Sequence, residues 1–179
     1  MQNQYSLTLL ASDTTIPAFD CGNADINDFL AEDAKDYLDG LLAVTYLLRC
    51  DERIVGYFCL LNDKLAYMPG DDKAAWNRLN RKVANRKRMK SYPAVKIGRL
   101  GTSLDFAHQG MATRMIDVIK RMFASGGKTG CRFLTVDAHR DALGFYLKCG
   151  FQYLTAADET DDTRLMYFDL KPFKDALSQ

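Results

Sequence analysis

The sequence predicts a mixed α/β fold, in which a central sheet of parallel and antiparallel strands carries helices on both faces. Short apolar segments typical of strands alternate with segments of helical periodicity, and two of the strands are joined by a tight hairpin. A chain of 179 residues can bury one sizeable core, and it contains no internal repeat or domain-length linker. We therefore expect a single domain over residues 1–179, with a basic helical insertion at about 71–92.

The first half of the chain reads as a strand, a helix and a hairpin. Residues 5–10, YSLTLL, are predicted to form an edge strand. Residues 21–40 place apolar side chains at helical spacing and acidic ones elsewhere, which predicts one amphipathic helix or two short ones. The segments 43–50 and 53–61 are separated by two acidic residues and are apolar at both alternating positions, so we expect paired strands covered on both faces.

The second half alternates between helices and strands. Residues 73–90 carry Trp76, Leu79 and Val83 on one helical stripe, and Pro93 is expected to close this helix before the next strand. The remaining predicted elements are a strand at 94–103, a helix at 110–124, a strand at 131–138, a helix at 140–149, and strands at 151–154 and 164–170.

Composition excludes several classes of protein. The hydrophobic share of 47% and the charged share of 26% are typical of a soluble globular protein, and no apolar run approaches the roughly 20 residues that cross a bilayer. The N-terminus resembles a strand rather than a signal peptide, so we expect a cytoplasmic protein. The five cysteines are scattered and form no CxxC pair, which favours reduced thiols and no metal site. A net charge of +1 gives no global signal for nucleic acid.

The start of the helix at 110–124 is the first candidate site. Gly110 lets the backbone approach a ligand closely, and Ala112 adds little bulk. The first-turn amides of a helix have no intrahelical acceptors and carry the positive end of its dipole. Such a helix start can hold a pyrophosphate, although a lone G-x-A also suits a simple turn.

The second candidate is Tyr146, within DALGFYLKCGF at residues 141–151. A tyrosine in such a helix is more often a half-buried core residue than a catalyst. It lies about one βαβ unit after the glycine-opened helix, so the two features are considered as a pair.

Together the two segments resemble the GCN5-related N-acetyltransferase (GNAT) family. The family's pyrophosphate loop, Gln/Arg-x-x-Gly-x-Gly/Ala, matches residues 107–112 at Gly110 and Ala112. It departs at Ala107, whose side chain supplies no hydrogen bond, so phosphate contacts there fall to the backbone, His108 and Gln109. The resemblance covers the order of elements over nearly the whole chain.

A second family pattern, Asn-x-x-Ala-x-x-x-Tyr, matches Ala142 and Tyr146, with His139 in place of the asparagine. Specific residues support the resemblance from about Arg99 to Phe151. It implies an acyl-CoA N-acyltransferase fold and direct transfer of an acetyl group from acetyl-CoA to a primary amine. It also implies cofactor contacts at Leu100, Gly101, Thr102, His108, Gln109, Gly110, Met111, Ala112, Thr113 and His139.

In this family the cofactor lies where two parallel strands splay, here the strands at 94–102 and 131–138. The resemblance gives Tyr146 the catalytic role of donating a hydrogen bond or a proton to the leaving thiolate. The base that deprotonates the amine stays open: His108, His139, Asp105, Asp137 and a chain of water molecules are alternatives.

The acceptor is open as well. The resemblance favours a small-molecule or protein amine. The alternative is aminoacyl-tRNA, because a toxin branch of the family shares an FDCG-like segment, seen here in FDCGNADINDFL, and an R-L-x-x-x strand end, seen here as RLGTS. The basic segment from Arg78 to Lys90 would then bind tRNA, although such a charge run usually forms a solvated surface. A non-catalytic CoA-binding module is the third possibility. Many relatives are dimers, so the resemblance also implies that this chain can form a homodimer.

Overall fold

A computed structural model describes residues 4–68, 70–83, 89–127 and 129–178. The strands are β1 Tyr5–Leu9, β2 Val44–Cys50, β3 Arg53–Ala66, β4 Ser91–Thr102, β5 Phe133–His139, β6 Gln152–Tyr153 and β7 Thr163–Asp169. The helices are α1 Ala24–Asp28, α2 Ala34–Asp39, α3 Lys73–Lys82, α4 Met111–Ala124, α5 Leu143–Lys148 and α6 Leu170–Leu177. Within the described ranges, no helix combines the length and apolar character that a membrane span requires.

The seven strands form one sheet in the order β1-β2-β3-β4-β5-β7-β6. β4 and β5 are parallel neighbours, paired from Ala94–Phe133 to Lys96–Thr135. The pairs β1–β2, β2–β3, β5–β7 and β6–β7 are antiparallel. The predicted mixed sheet, with parallel strands at its centre and YSLTLL at its edge, is therefore confirmed.

The chain divides into two compact units, the first of which comprises residues 1–61 and 97–119. In this unit Leu47 packs in an apolar cluster with Phe29 and Leu30. The next residue, Leu48, packs against a cluster that includes Met111 of α4. Because neighbouring residues of a strand point to opposite faces, helices cover both faces of this part of the sheet, as predicted.

The second unit comprises residues 62–96 and 120–179. Its core contains Trp76 and Leu79 of α3, packed with Tyr92 of β4, Phe133 of β5 and Tyr167 of β7. The rings form a continuous series with centroid separations of 5.8 Å between Trp76 and Tyr92, Tyr92 and Phe133, and Phe133 and Tyr167. The predicted apolar stripe of α3 therefore anchors this helix, which leaves its charged side in solvent.

Pro93 does not close the helix before β4, contrary to the expectation. α3 ends at Lys82, and Val83 is already extended, with φ −96° and ψ 100°. Pro93 lies within β4, close to its start, where a missing N–H is tolerated and where its carbonyl accepts from the Arg132 amide at 2.9 Å. Residues 84–88 of the predicted helical segment lie outside the described residues.

Two further elements differ from the sequence expectation. β3 continues to Ala66, five residues beyond the predicted end, and Leu65 there is fully buried. α6 follows β7 without a turn, because Asp169 ends the strand and caps the helix by accepting from the Lys171 amide at 3.0 Å. The predicted helix over 21–40 consists of α1 and α2, joined by a π-helical turn at Phe29–Asp33.

Candidate active site

The loop that leads into α4 leaves the first amides of the helix without partners among the described residues. Gly110 takes the cap position, since its carbonyl accepts from the Arg114 amide at 3.1 Å. Glycine has no side chain to cap the first turn. In the part of the chain that the structure describes, nothing accepts a hydrogen bond from the amides of Met111, Ala112 and Thr113. These three N–H groups form the positive end of a helix of 14 residues.

Two residues of this loop have a left-handed backbone. Gly110 has φ +74°, and His108 has φ +60° although it carries a side chain. A non-glycine residue in this region costs about 1–2 kcal/mol, so the fold holds His108 there against a penalty. A Cβ placed on Gly110 would meet no atom of the described residues within 4 Å. The backbone angle therefore favours glycine at this position, whereas packing among the described residues does not require it.

The predicted cofactor residues Leu100, Gly101 and Thr102 form the end of β4. A Cβ on Gly101 would lie 2.7 Å from Cγ2 of Ile26 and 3.5 Å from Sγ of Cys21. The hydroxyl of Thr102 is buried and has no hydrogen-bond partner among the described residues. An unpaired buried hydroxyl is uncommon, and here it lies at the end of the strand that the resemblance assigns to the cofactor.

The segment Phe19–Gly22 packs against this strand end, a role that the sequence did not reveal. The carbonyl of Asp20 accepts from the Leu104 amide at 2.9 Å. Hydrogen bonds from the Gly22 amide and then from the Asn27 side chain hold the pKa of the Asp20 carboxyl below its usual value. Burial raises the pKa of the Cys21 thiol, which keeps it protonated. The FDCG stretch thus covers Gly101. The thiol of Cys21 is unsuited to act as a nucleophile.

Arg99 ties the same strand to the acidic helix. Its Nε lies 3.0 Å from Oδ2 of Asp25, and its guanidinium lies 5.3 Å from the ring centre of Phe29. The ion pair is partly exposed, so the gain in stability is on the order of 1 kcal/mol or less. Its structural effect is to hold α1 beside the residues that precede Leu100.

Tyr146 lies on α5 in the second unit, and only 6% of its surface is exposed. Its ring makes edge contacts with Phe145 and Phe151 at centroid distances of 5.1 and 5.3 Å. Burial, with a smaller contribution from Cys149, raises the pKa of the phenol well above its usual value. The raised pKa keeps the hydroxyl protonated, and no hydrogen bond among the described residues engages it, so it is available as a donor.

His139 ends β5 and precedes a 3₁₀ turn at Arg140–Ala142. Its side chain makes no capping hydrogen bond, and the residue is exposed. Asp137, one of the alternatives for the base, forms an ion pair with Lys96 of the neighbouring strand. Asp105 is exposed on the 3₁₀ turn before α4.

The basic segment is described in part. α3 exposes Lys73, Arg78, Arg81 and Lys82 opposite its buried stripe. Arg78 approaches Asp72 only at 3.9 Å, and Lys82 Nζ contacts the side chain of Gln152 at 3.4 Å. Positions 86–88, which carry three more cations in the sequence, lie outside the described residues.

Comparison with known families decides the assignment. The model of the acetyltransferase (GNAT) family matches residues 18–151, about three quarters of the chain. The chain belongs to the acetyltransferase (GNAT) family. A search of curated protein sequences found no match.

Solved structures share this fold over their whole length. A tyrosine-to-phenylalanine mutant of KacT is 23% identical, with a TM-score of 0.77, and the match covers 98% of this chain and 99% of that one. AtaT complexed with acetyl-methionyl-tRNAfMet is 20% identical, with a TM-score of 0.79 and coverage of 98% and 100%. A tyrosine-to-phenylalanine mutant of the AtaT toxin, bound to acetyl-CoA and the C-terminus of the antitoxin AtaR, is 19% identical, with a TM-score of 0.70 and coverage of 98% and 99%.

As a GNAT family member, the protein is an N-acetyltransferase that uses acetyl-CoA as its cosubstrate. The residues present fit that molecule. Three partnerless amides behind Gly110 suit a diphosphate, and the unpaired hydroxyl of Thr102 suits a polar group of the pantetheine arm. The departure at Ala107 leaves these backbone donors intact.

Proposed function

We propose that this acetyltransferase acetylates the amino group of aminoacyl-tRNA. The observation that carries the choice of acceptor is the exposed positive side of α3, which is held in place by Trp76 and Leu79. Cations fixed on one face of a helix bind nucleic acid phosphates regardless of sequence. The full-length likeness to AtaT, which was solved with acetyl-methionyl-tRNAfMet, supports the same acceptor.

In this proposal the backbone of the α4 loop holds the cosubstrate. The amides of Met111, Ala112 and Thr113 bind its diphosphate, and Gly110 allows the close approach. His108 and Gln109 are exposed beside these amides and add polar contacts. Backbone groups of Leu100, Gly101 and Thr102 hold the pantetheine arm, while the side chain of His139 contributes at the end of β5. Acetyl-CoA supplies the thioester. The deprotonated amine attacks its carbonyl carbon, the C–S bond breaks and CoA leaves as a thiolate, while a base or water takes the excess proton from the nitrogen.

Tyr146 is the proposed catalytic residue, and it acts as a hydrogen-bond donor to the departing sulfur. A free thiol has a pKa of about 8.5, and tyrosine starts near 10, so full proton transfer is uphill by at least about 2 kcal/mol. Burial raises the pKa of Tyr146 further, which increases this difference. A donated hydrogen bond therefore stabilises the developing charge without complete transfer. KacT and AtaT were both solved as tyrosine-to-phenylalanine mutants, the change that tests Tyr146.

One observation favours the other acceptor class, a cationic small-molecule or protein amine. α1, the π-helical turn and α2 expose a series of carboxylates that would repel tRNA and attract ammonium groups. The series consists of Asp25, Asp28, Glu32, Asp33, Asp36 and Asp39. The acceptor experiment therefore includes both classes.

The experiment supplies radiolabelled acetyl-CoA together with total tRNA charged with the twenty amino acids. Deacylated tRNA, spermidine and a lysine-containing peptide serve as competing acceptors. We expect label on charged tRNA alone, released with the amino acid under mild alkali. Label on spermidine or the peptide, with none on charged tRNA, would replace the proposed acceptor. The absence of transfer to any of them would favour a CoA-binding module.

Charge reversal on α3 tests the tRNA surface. The double variant Arg81→Glu, Lys82→Glu should weaken binding of charged tRNA and reduce the slope of log affinity against log salt by about two, roughly one for each cation removed. The double variant Lys64→Glu, Lys174→Glu, which reverses two exposed cations outside α3, is the charge-matched control and should leave the slope unchanged. Equal effects of both changes would mean that α3 contributes only net charge.

A further inference from the structure

We propose that Lys120 is a positioning residue for Tyr146, because it fixes the C-terminal end of the short helix that carries this tyrosine. The inference rests on the proposed role of Tyr146 in the reaction. It assigns to Lys120 no contact with the cosubstrate or the acceptor.

Lys120 is buried to an unusual degree for a lysine, with only 6% of its surface exposed. It lies on the apolar side of α4, where the positions four residues before and after it are Ile116 and Ala124, exposed by 0% and 3%. A residue that served only to fill this space would be apolar, since burial of an ammonium group is unfavourable without strong partners. The contacts of the ammonium group therefore indicate the structural role of Lys120.

The ammonium group of Lys120 donates to the carbonyl of Cys149 at 2.7 Å. Cys149 is the C-cap of α5, a helix of six residues, and its carbonyl belongs to the negative end of the helix dipole. A cation at this end satisfies one of the carbonyls that a helix terminus leaves without an intrahelical donor. So short a helix has little stability of its own and depends on such contacts.

The end of α5 is a tight turn that includes the backbone of Tyr146. Gly150 has φ +84°, and its amide donates to the Leu147 carbonyl at 2.9 Å. The Phe151 amide donates to the carbonyl of Tyr146 at 3.0 Å. These bonds close a turn typical of a glycine-ended helix. Lys120 holds the carbonyl of Cys149, which lies between Tyr146 and these two donors in the sequence.

Aromatic side chains connect the ammonium group to the tyrosine ring as well. Lys120 Nζ lies 4.5 Å from the ring centre of Phe168 and 5.9 Å from that of Phe173. The Phe168 ring packs on Phe151 at 5.7 Å, and Phe151 packs on Tyr146 at 5.3 Å. The cation–π contacts hold the ammonium group over the same rings that pack around Tyr146. Loss of the cation should therefore shift the ring and its hydroxyl, with the binding loop before α4 unaffected.

A double-mutant cycle between Lys120→Met and Tyr146→Phe tests this inference. Methionine matches the length of the lysine stem and stays apolar, so it fills the space without charge or donor. Initial rates are measured with acetyl-CoA and charged total tRNA. Lys120→Arg, which keeps both charge and donors, tests rescue, and Lys174→Met on α6 is the control for loss of an exposed lysine.

We expect Lys120→Met to lower kcat about tenfold or more, since a displacement of about 1 Å can reduce catalysis by about 10²-fold. The KM for acetyl-CoA should stay within about twofold, because the backbone anchor is intact. In the Tyr146→Phe background the same change should have less than about a twofold effect, because the two residues act as one unit. Lys120→Arg should recover most of kcat.

Equal losses of kcat in both backgrounds, or a rise in KM alone, would overturn the role of Lys120. Unchanged turnover of Tyr146→Phe by itself would instead remove the tyrosine, and with it the basis for a positioning residue. If Lys120→Met fails to fold, Lys120→Gln carries the same cycle, since it keeps a donor but not the charge. In that variant faster hydrogen exchange of the Phe151 amide would support the inference, and unchanged exchange with unchanged kcat would reject it.

Discussion

The start of α4, the proposed binding site for the diphosphate, and the end of α5, which carries the proposed catalytic tyrosine, present their groups in opposite ways. The loop before α4 is exposed and uses backbone amides, with His108 and Gly110 in left-handed conformations. The segment around Tyr146 is buried among aromatic rings and presents a single side-chain hydroxyl. The first site should therefore tolerate changes of side chain but not of backbone angle. The second should depend on one atom and on the packing that holds it.

The largest expected effect comes from removal of that one atom. Tyr146→Phe keeps the ring contacts and deletes the donor, so kcat should fall by about 10²- to 10⁴-fold, the usual contribution of acid–base assistance. The KM for acetyl-CoA should remain within about twofold, since the anchor is elsewhere in the chain. Steady-state kinetics measure both. Turnover equal to that of the unmodified protein would exclude Tyr146 from the mechanism.

The next effect should come from the backbone of the anchor. Gly110→Ala adds a Cβ on the side open to a ligand and strains a φ of +74°, so we expect the KM for acetyl-CoA to rise about tenfold with a much smaller change in kcat.

Gly126→Ala is the matched control for this change. Gly126 has φ +95°, and in the part of the chain that the structure describes a Cβ there also meets nothing within 4 Å. The control should lose about 1–2 kcal/mol of stability from backbone strain without any change in KM. If both variants raise KM equally, the effect of Gly110→Ala reflects stability rather than binding.

A smaller gain should follow from restoring a family residue. Ala107→Gln places a hydrogen-bonding side chain at the first position of the phosphate loop, and one added bond contributes about 0.5–1.5 kcal/mol. We expect the Kd for CoA to fall about two- to tenfold by calorimetry. Weaker binding would show that this loop follows a different path from the family's.

The smallest expected effect concerns pH: titration of Tyr146 should not change the rate of acetyl transfer at alkaline pH. Burial raises the pKa of Tyr146, so the phenol stays protonated throughout the range from pH 7 to 10. The rate of acetyl transfer should not decline in that range through loss of this proton. A decline near pH 9 that disappears in Tyr146→Phe would contradict the buried, protonated donor.

Most of the sheet and its helices were predictable because their apolar periodicity is strong. α6 was missed because the alternation of β7 runs directly into it, although Asp169 as the cap and Pro172 in the first turn are recognisable signals. The sequence predicts too late an end for α3, because a proline commonly terminates a helix, whereas Pro93 lies within β4.

The candidate site also contains some features that the sequence predicts and others that only the structure reveals. Gly110 and Tyr146 carry patterns that a sequence displays, and the structure gives each a distinct environment. The left-handed His108, the unpaired Thr102 hydroxyl and the buried Lys120 depend on long-range packing, which spacing along the chain does not encode. The FDCG stretch was recognised as a motif, but its contact with Gly101 follows from the glycine's missing Cβ.

The most direct test of the backbone anchor is a titration of ¹⁵N-labelled protein with CoA, followed by amide NMR. Large shifts are expected for the amides of Met111, Ala112 and Thr113, and pantetheine, which lacks the diphosphate, should leave them nearly unchanged. Binding of CoA that leaves these three amides unshifted, or that affects them no more than pantetheine does, would contradict the assignment of the α4 start as the diphosphate site.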